Sequence, residues 1–330
     1  MDVNNNIKST APLLGEADFP PLVICGEKRQ GKGEDSYFCS LEAQGGFIGV
    51  FDGSGGSGAR TYPEFGGRTG AYVGSRAAAE AAMEWFREWT VSADGDAPEA
   101  KAVSIEKLKN KIDAVLGAYH KMTASSSGLR SSLAKEFPTT FAGEVILPDE
   151  AAAEKMRVCF AWSGDSRCYM LDSAGLHQMS VDDLSIKDAY LNLSEDAPML
   201  NVISASHSYR INERKLKIKK PCVLFAATDG CFGYVKSPME FERMLLTTLA
   251  ASTCINEWRE KLSEAIDGAA GDDDTLCVLS FRFGSFERLK EIFAERLKRL
   301  EEDYPSSEVT DQKKTRERWE NYRKEYEKYQ

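Results

Sequence analysis

This chain of 330 residues is poor in the residues that soft metals and nucleophile relays need. It has only three histidines, without zinc-like spacing, and none of its eight cysteines forms a Cys-x-x-Cys pair. No motif of Ser-His-Asp or Cys-His type stands out, and no Gly-Lys-Ser/Thr follows a glycine-rich loop, which excludes a Walker phosphate loop. Cys25, Cys39, Cys159, Cys168, Cys222, Cys231, Cys254 and Cys277 sit mostly in strand-like apolar runs. They read as buried free thiols of a reducing compartment, so the expected location is cytoplasmic. There is no run of about 18 apolar residues, hence no predicted membrane span. The opening MDVNNNIKSTAPLLGEADFPP lacks a basic and then apolar leader and predicts no signal peptide. Basic charge is in deficit, 42 Lys and Arg against 52 Asp and Glu, a net charge of −10. That balance argues against nucleic acid or an anionic membrane as the main partner.

What is present is a mixed pattern of strands and helices. Residues 1–18 read as a loose tail. PLVICGEK, EDSYFCSLE and GGFIGVFD read as strands. Residues 69–90, rich in alanine, and the stretch SIEKLKNKIDAVLGAYHKM predict two helices, the second with Ile105, Leu108, Ile112, Val115 and Tyr119 on one face. A loop, TASSSGLRSSLAKEFP, leads to a block of four strands (TTFAGEVIL, KMRVCFAWSG, SRCYMLDSAG, LHQMS) that reads as one antiparallel meander with an insertion at 148–154. CVLFAATDG and TLCVLSFRF are two further strands, separated by the helices SPMEFERMLLTTLA and INEWREKLSEAI. Strands in runs and helices in pairs point to an α+β domain with antiparallel sheets, not to a doubly wound parallel sheet. After Phe283 a charged segment carries Phe286, Leu289, Phe293, Leu297, Leu300 and Tyr304 at helical spacing, capped by Ser285 and ended by Pro305. A second helix starting at Thr310 or Asp311 would carry Trp319, Tyr322, Tyr326 and Tyr329 on one face. Such apolar faces are expected to dock on the rest of the chain or on a partner chain.

The stretch GGFIGVFDGSGGSGAR, residues 45–60, ends a hydrophobic run on a carboxylate, Asp52, and follows it with little but Gly and Ser. Gly53, Gly55 and Gly58 satisfy G-x-G-x-x-G, yet Pro63 and two glycines in ARTYPEFGG deny the helix that a dinucleotide needs, and Asp52 would repel its phosphates. Asp52 suits a cation better, because three more carboxylate sites share its context. Glu34 and Asp35 head the strand SYFCSLE, Asp229 follows CVLFAAT, and Asp272, Asp273 and Asp274 precede TLCVLSF. An Asp-Gly pair at a strand end also suits a hairpin turn. Carboxylates gathered at one rim would repel each other, and an all-oxygen site for Mg²⁺ or Mn²⁺ removes that cost.

These motifs resemble those of the metal-dependent protein phosphatases of type 2C, from about Cys25 to Phe283. GEDSY, GVFDGSGGSG, PTTFAGEV, FAWSGDSRCYML, MSVDD, LFAATDG and DDDTLCVL are similar to that family's motifs and come in its order. The resemblance implies a sandwich of two antiparallel sheets flanked by helices (residues 19–283), followed by the charged helical extension 284–330. It implies a Mg²⁺- or Mn²⁺-dependent phosphatase acting on phosphoserine and phosphothreonine in phosphoprotein substrates. Asp52 would bridge two metals, with the Gly53 carbonyl in the second site and Asp229 and Asp272 holding the first. Asp273 is the register alternative to Asp272. Glu34 and Asp35 would act through waters, and Asp165 in GDSR, otherwise a turn residue, would belong to a third, weaker metal site.

Three positions depart from the family pattern. Ser54 stands where some members have a histidine. The phosphate-binding arginine position is Gln30, leaving Arg29 one residue earlier as the substrate-binding candidate. Gly233 replaces a second Asp after TDG, so any partner of Asp165 would have to come from elsewhere, with Asp182 and Asp183 as candidates. These departures keep open an alternative, a catalytically weak relative that serves as an interaction module.

Overall fold

The computed structural model describes residues 17–93, 102–123, 135–149, 151–195, 197–305 and 312–330. The expected tail lies almost wholly outside these residues, as do much of the loop after residue 123 and the expected start of the last helix. In chain order the elements are β1 (Leu22–Gly26), β2 (Ser36–Leu41), β3 (Gly46–Phe51), α1 (Gly55–Gly58), β4 (Thr61–Tyr62), β5 (Arg68–Thr69), α2 (Gly70–Ala93) and α3 (Ile105–Thr123). Then come β6 (Phe141–Pro148), β7 (Lys155–Ser163), β8 (Arg167–Asp172), β9 (Gly175–Gln178), β10 (Asn212–Lys219) and β11 (Cys222–Ala227). The chain continues with α4 (Asp229–Phe232), α5 (Pro238–Ala250), α6 (Ile255–Ala269), β12 (Asp274–Phe281), α7 (Phe286–Asp303) and α8 (Gln312–Tyr326).

Two five-stranded antiparallel sheets, ordered β1-β12-β11-β8-β9 and β10-β7-β6-β3-β2, pack face to face. The period of two along each strand sorts the side chains into layers. Ile48 and Val50 of β3, Ala142 and Ile146 of β6, Met170 of β8, Leu224 and Ala226 of β11, and Leu279 of β12 fill the space between the sheets. Phe47 and Phe51 point to the outer side and pack under α2 and α3 against Ala78, Phe86, Leu108 and Ile112. Val223 and Phe225 point the other way, under α5 and α6, where Trp258, Leu262 and Ile266 meet them. The result is the expected α+β sandwich, four layers deep.

The strand block 139–180 is not one meander. β6 and β7 pair within one sheet, then the chain crosses to the other at Gly164, and β8 pairs with β9 and β11 there. Gly164 permits the crossing, since its φ of +95° is open to glycine and strained for other residues. β10, NERKLKIK, went unread in the sequence. It is an edge strand whose exposed positions are charged, so it carries little apolar signal.

The C-terminal helices share the core of the β1-β12-β11-β8-β9 sheet. Phe286, Leu289, Phe293 and Leu300 of α7, and Trp319, Tyr322 and Tyr326 of α8, are buried with Phe225, Phe241 and Trp258. Ser285 caps α7 by accepting from the Arg288 N–H. Among the described residues no helix is long and apolar enough to cross a membrane.

Candidate metal centre

Strand register gathers the carboxylates. In one sheet Phe51 pairs with Ser36, which sets Asp52 beside Asp35. In the other sheet Ala227 pairs with Leu276 on one side and Arg167 on the other, which sets Asp229 between the start of β12 and Asp165. Two threonines fix the end of β3. Thr140 N–H and Thr139 Oγ1 both donate to the Asp52 carbonyl, each at 2.8 Å. Thr140 Oγ1 also lies 2.6 Å from Ser166 Oγ, tying the Asp165 loop to the same point.

The small residues after Asp52 have a steric cause. A Cβ at Gly53 would lie 2.7 Å from the carbonyl oxygens of both Ala71 and Glu34, so only glycine lets the three segments meet. Gly55 to Gly58 form one helical turn, α1, where the sequence predicted only loop. That turn is too short and too poor in side chains to give the periodicity by which helices are read.

Four aspartates in the rim lack a paired cation, although the charge of Arg167 favours the ionised forms of Asp165 and Asp229 against burial and the neighbouring carboxylates. Among the described residues Asp35, Asp52, Asp165 and Asp229 form no ion pair with lysine or arginine. Burial lifts the Asp52 carboxyl well above the ordinary carboxylate range, and the charges of Asp35, Asp229, Asp165 and Asp272 lift it further. Burial, and then Asp229, push Asp35 up to about 8, against the Thr228 hydroxyl that donates to it at 2.8 Å. Asp165 rises to about 8 through burial and the charges of Asp229 and Asp182, and Asp229 to about 6 through burial and Asp272. Asp52, Asp165 and Asp229 nonetheless keep a partly exposed edge.

The donor set fits a hard divalent cation. All the groups are oxygens, they raise one another's proton affinity, and Asp165 Oδ1 is buried without a hydrogen-bond partner. Among the described residues no three His, Cys, Asp or Glu side chains are gathered closely enough to hold an ion as they stand.

The two register candidates differ in what already occupies them. The Asp273 carboxylate accepts from the backbone N–H groups of Lys28 and Glu34, both at 2.8 Å, so it anchors the loop before β2. Among the described residues Asp272 accepts its neighbour's N–H, at 2.9 Å, and its charge reaches Asp52 and Asp229. Glu34 accepts from the Thr69 hydroxyl, and burial raises its carboxyl.

Neither proposed partner of Asp165 is free. Asp182 is held by Arg167 Nε and Nη2 at 3.0 and 2.7 Å and by Gln178 and Asn192. Asp183 is held by Arg210, Asn201 and Asn212. Their oxygens were committed by partners too distant in sequence for the motif to reveal. Arg29 is exposed and lines a cavity of about 530 Å³ together with Glu34 and Asp272. The same cavity holds Lys28, Lys32 and Arg68, which sequence reasoning missed; the base-rich stretch EKRQGK in an acidic chain was the available signal.

No protein-family model and no curated protein matches the chain. Solved structures do. The serine/threonine phosphatase Stp1 from Staphylococcus aureus aligns with a TM-score of 0.56 at 18% identity, over 79% of this chain and 94% of that one. The serine/threonine phosphatase PstP/Ppp of Mycobacterium tuberculosis gives 0.54 at 17%, over 79% and 97%. The chain has the fold of the type 2C serine/threonine phosphatases. A catalytic domain of PstP solved with two manganese ions shares it as well, with a TM-score of 0.51 at 16% identity over 79% of this chain and 97% of that one. These identities establish a common architecture, and the carboxylate rim described above is this chain's own.

Proposed function

We propose that this protein is a Mg²⁺- or Mn²⁺-dependent phosphatase of phosphoserine and phosphothreonine in proteins. The observation that carries the reading is the rim itself, in which the charges of Asp35, Asp165, Asp229 and Asp272 act on Asp52 and no lysine or arginine of the described residues pairs with it. In this reading Asp52, Asp229, Asp272 and the Gly53 carbonyl would hold the ions, with Asp52 shared between them. When bound, two such cations supply a water acidified toward hydroxide and positive charge against the phosphoryl oxygens. The chain's own residues do the rest. Thr139 and Thr140 hold the end of β3 and keep Asp52 in place. Asp35, tethered by Thr228, and Glu34, tethered by Thr69, would orient water. Asp273 organises the loop that carries Arg29, which would take a phosphoryl oxygen through its forked guanidinium. Asp165 would serve a third, weaker ion, because Gly233 offers no side-chain oxygen beside it. All eight cysteines are free, which supports a cytoplasmic location.

The absent carboxylate at Gly233 favours the second reading, a catalytically weak interaction module. Hydrolysis of p-nitrophenyl phosphate and of a phosphothreonine peptide decides between the two. Turnover that appears with Mn²⁺ or Mg²⁺ and vanishes with EDTA is expected. No turnover with either ion at any concentration would leave the module.

A further inference from the structure

The cavity beside the carboxylate rim is lined by a basic wall, Lys28, Arg29, Lys32 and Arg68, and by the carboxylates Glu34, Asp272 and Asp273, of which Asp273 is engaged by the backbone N–H groups of Lys28 and Glu34. Four cations around one opening run against the net charge of −10. The fold holds that wall in place. Both oxygens of Asp273 accept from the backbone of the 28–34 loop, Arg68 Nη1 donates to the Gly31 carbonyl at 2.8 Å, and Lys28 Nζ donates to the Ala270 carbonyl at 2.7 Å. Arg68 also lies over the Tyr72 ring, 4.4 Å from its centre, with Arg76 over the same ring at 3.5 Å. Carbonyl and ring partners leave these cations their full charge. Arg29 and Lys32 are exposed and pair with no carboxylate among the described residues.

We propose that this wall selects phosphoprotein segments whose phosphorylated residue is flanked by aspartate or glutamate. The inference rests on the phosphatase reading above and adds the substrate class. A phosphate bound over Asp272 and its neighbours puts the adjoining peptide residues in the cavity, whose volume of about 530 Å³ lies in the range of ligand sites. Acidic side chains there meet Lys28, Lys32 and Arg68, while basic ones meet like charge. Such partly exposed pairs give discrimination more than affinity, and they weaken with salt.

The test compares two phosphothreonine peptides, one with three flanking aspartates and one with asparagines in their place, on full-length protein with Mn²⁺. The expected ratio of kcat/KM, acidic over neutral, is about 10 at low salt and falls toward 1 at high ionic strength. Lys32→Glu should lower that ratio at least ~5-fold. A ratio cancels any general loss of activity. Binding of the unphosphorylated acidic and neutral peptides, followed by fluorescence anisotropy, reads the wall without turnover. If phosphopeptides are not hydrolysed but the acidic peptide still binds through Lys32, the phosphatase reading fails and the wall stands. Equal rates and equal binding for the two peptides, or a preference that Lys32→Glu leaves intact, would overturn the proposal.

Discussion

Glu242, on α5, and Asp52, just past the end of β3, are both carboxylates drawn into the fold, and their surroundings differ in sign. Glu242 is fully buried beneath the C-terminal helices, where Arg296 Nε and Nη2 donate to its two oxygens at 2.6 and 2.7 Å and the Tyr322 hydroxyl donates at 2.6 Å. Every charge there has a partner within the chain. Asp52 has four acidic neighbours and, among the described residues, no ion pair with a base, while its main-chain carbonyl accepts from Thr139 and Thr140 and holds the local structure. Buried ions without partners cost several kcal/mol, so a fold keeps them only where something outside the chain completes them or function requires them. Acid that is matched reads as architecture, and acid that is unmatched reads as a site.

Mutation should break the two regions in opposite ways. Glu242→Ala strands Arg296 and Tyr322 in the core under α7 and α8. It should cost about 3–5 kcal/mol in urea unfolding, the range for a broken buried pair. The folded fraction should keep near-normal turnover per molecule, since Glu242 is not among the carboxylates whose charge reaches Asp52. A stability change below ~1 kcal/mol would mean that the extension contributes little.

Asp52→Asn should do the reverse. Metal-dependent turnover should fall at least ~10²-fold, because a bridging ligand serves the charge that develops in the transition state. The melting temperature without metal should hold or rise, since one of the mutually repelling carboxylates is gone. Added Mn²⁺ should raise the wild-type melting temperature by mass action and leave the variant nearly unmoved. Near-normal turnover in Asp52→Asn would remove Asp52 from the centre. Asp165→Ala should cost less, about tenfold in turnover, because this carboxylate has no acidic companion at Gly233 and, in the proposed reading, would serve only the weaker ion. Gly233 has φ of −71°, so Gly233→Asp is conformationally allowed; its Cβ would stand 2.8 Å from the Asp229 carbonyl oxygen, and the α4 turn must shift slightly to take it.

The comparison also explains what was legible beforehand. Asp52, Asp229 and the 272–274 run announced themselves because each adjoins an apolar strand, and strand-end placement is a local pattern of a few residues. The sandwich followed from strands in runs. The matched acid was invisible: Glu242 and Arg296 stand 54 positions apart on different helices, and Asp182 and Arg167, 15 positions apart, meet only when the β8–β9 hairpin closes. The crossing between the sheets hides in the single glycine of SGDS, and β10 hides in its edge charge. The basic wall was missed for the same reason, since Arg68 comes to it from the β4–β5 ribbon while Lys28 and Lys32 come from a loop.

One carboxylate belongs to neither region. Glu144 of β6 points between the sheets, fully buried, in a neighbourhood that includes the Cys168 and Cys222 thiols. Neither of its oxygens makes a well-formed hydrogen bond, and burial raises its carboxyl well above the ordinary range, slightly opposed by the Tyr169 backbone. The group is therefore protonated in the folded protein at a pH where the unfolded chain has released that proton. Stability must then fall as pH rises from the ordinary carboxylate range toward the raised folded value, because the folded state binds the extra proton. Glu144→Met removes both the unpaired polar atoms and this slope at similar volume. With Mn²⁺ saturating to silence the rim, the variant should already be the more stable near pH 4, and its advantage should widen by about 1.4 kcal/mol for each pH unit between the ordinary carboxylate range and the raised folded value, measured by urea denaturation. The rim aspartates titrate in both proteins, so the difference between the two curves isolates Glu144. A difference that stays flat with pH, or wild type the more stable at pH 7.5, would show that Glu144 has a partner in solution, such as an enclosed water, and that the interior of the sandwich is not dry at β6.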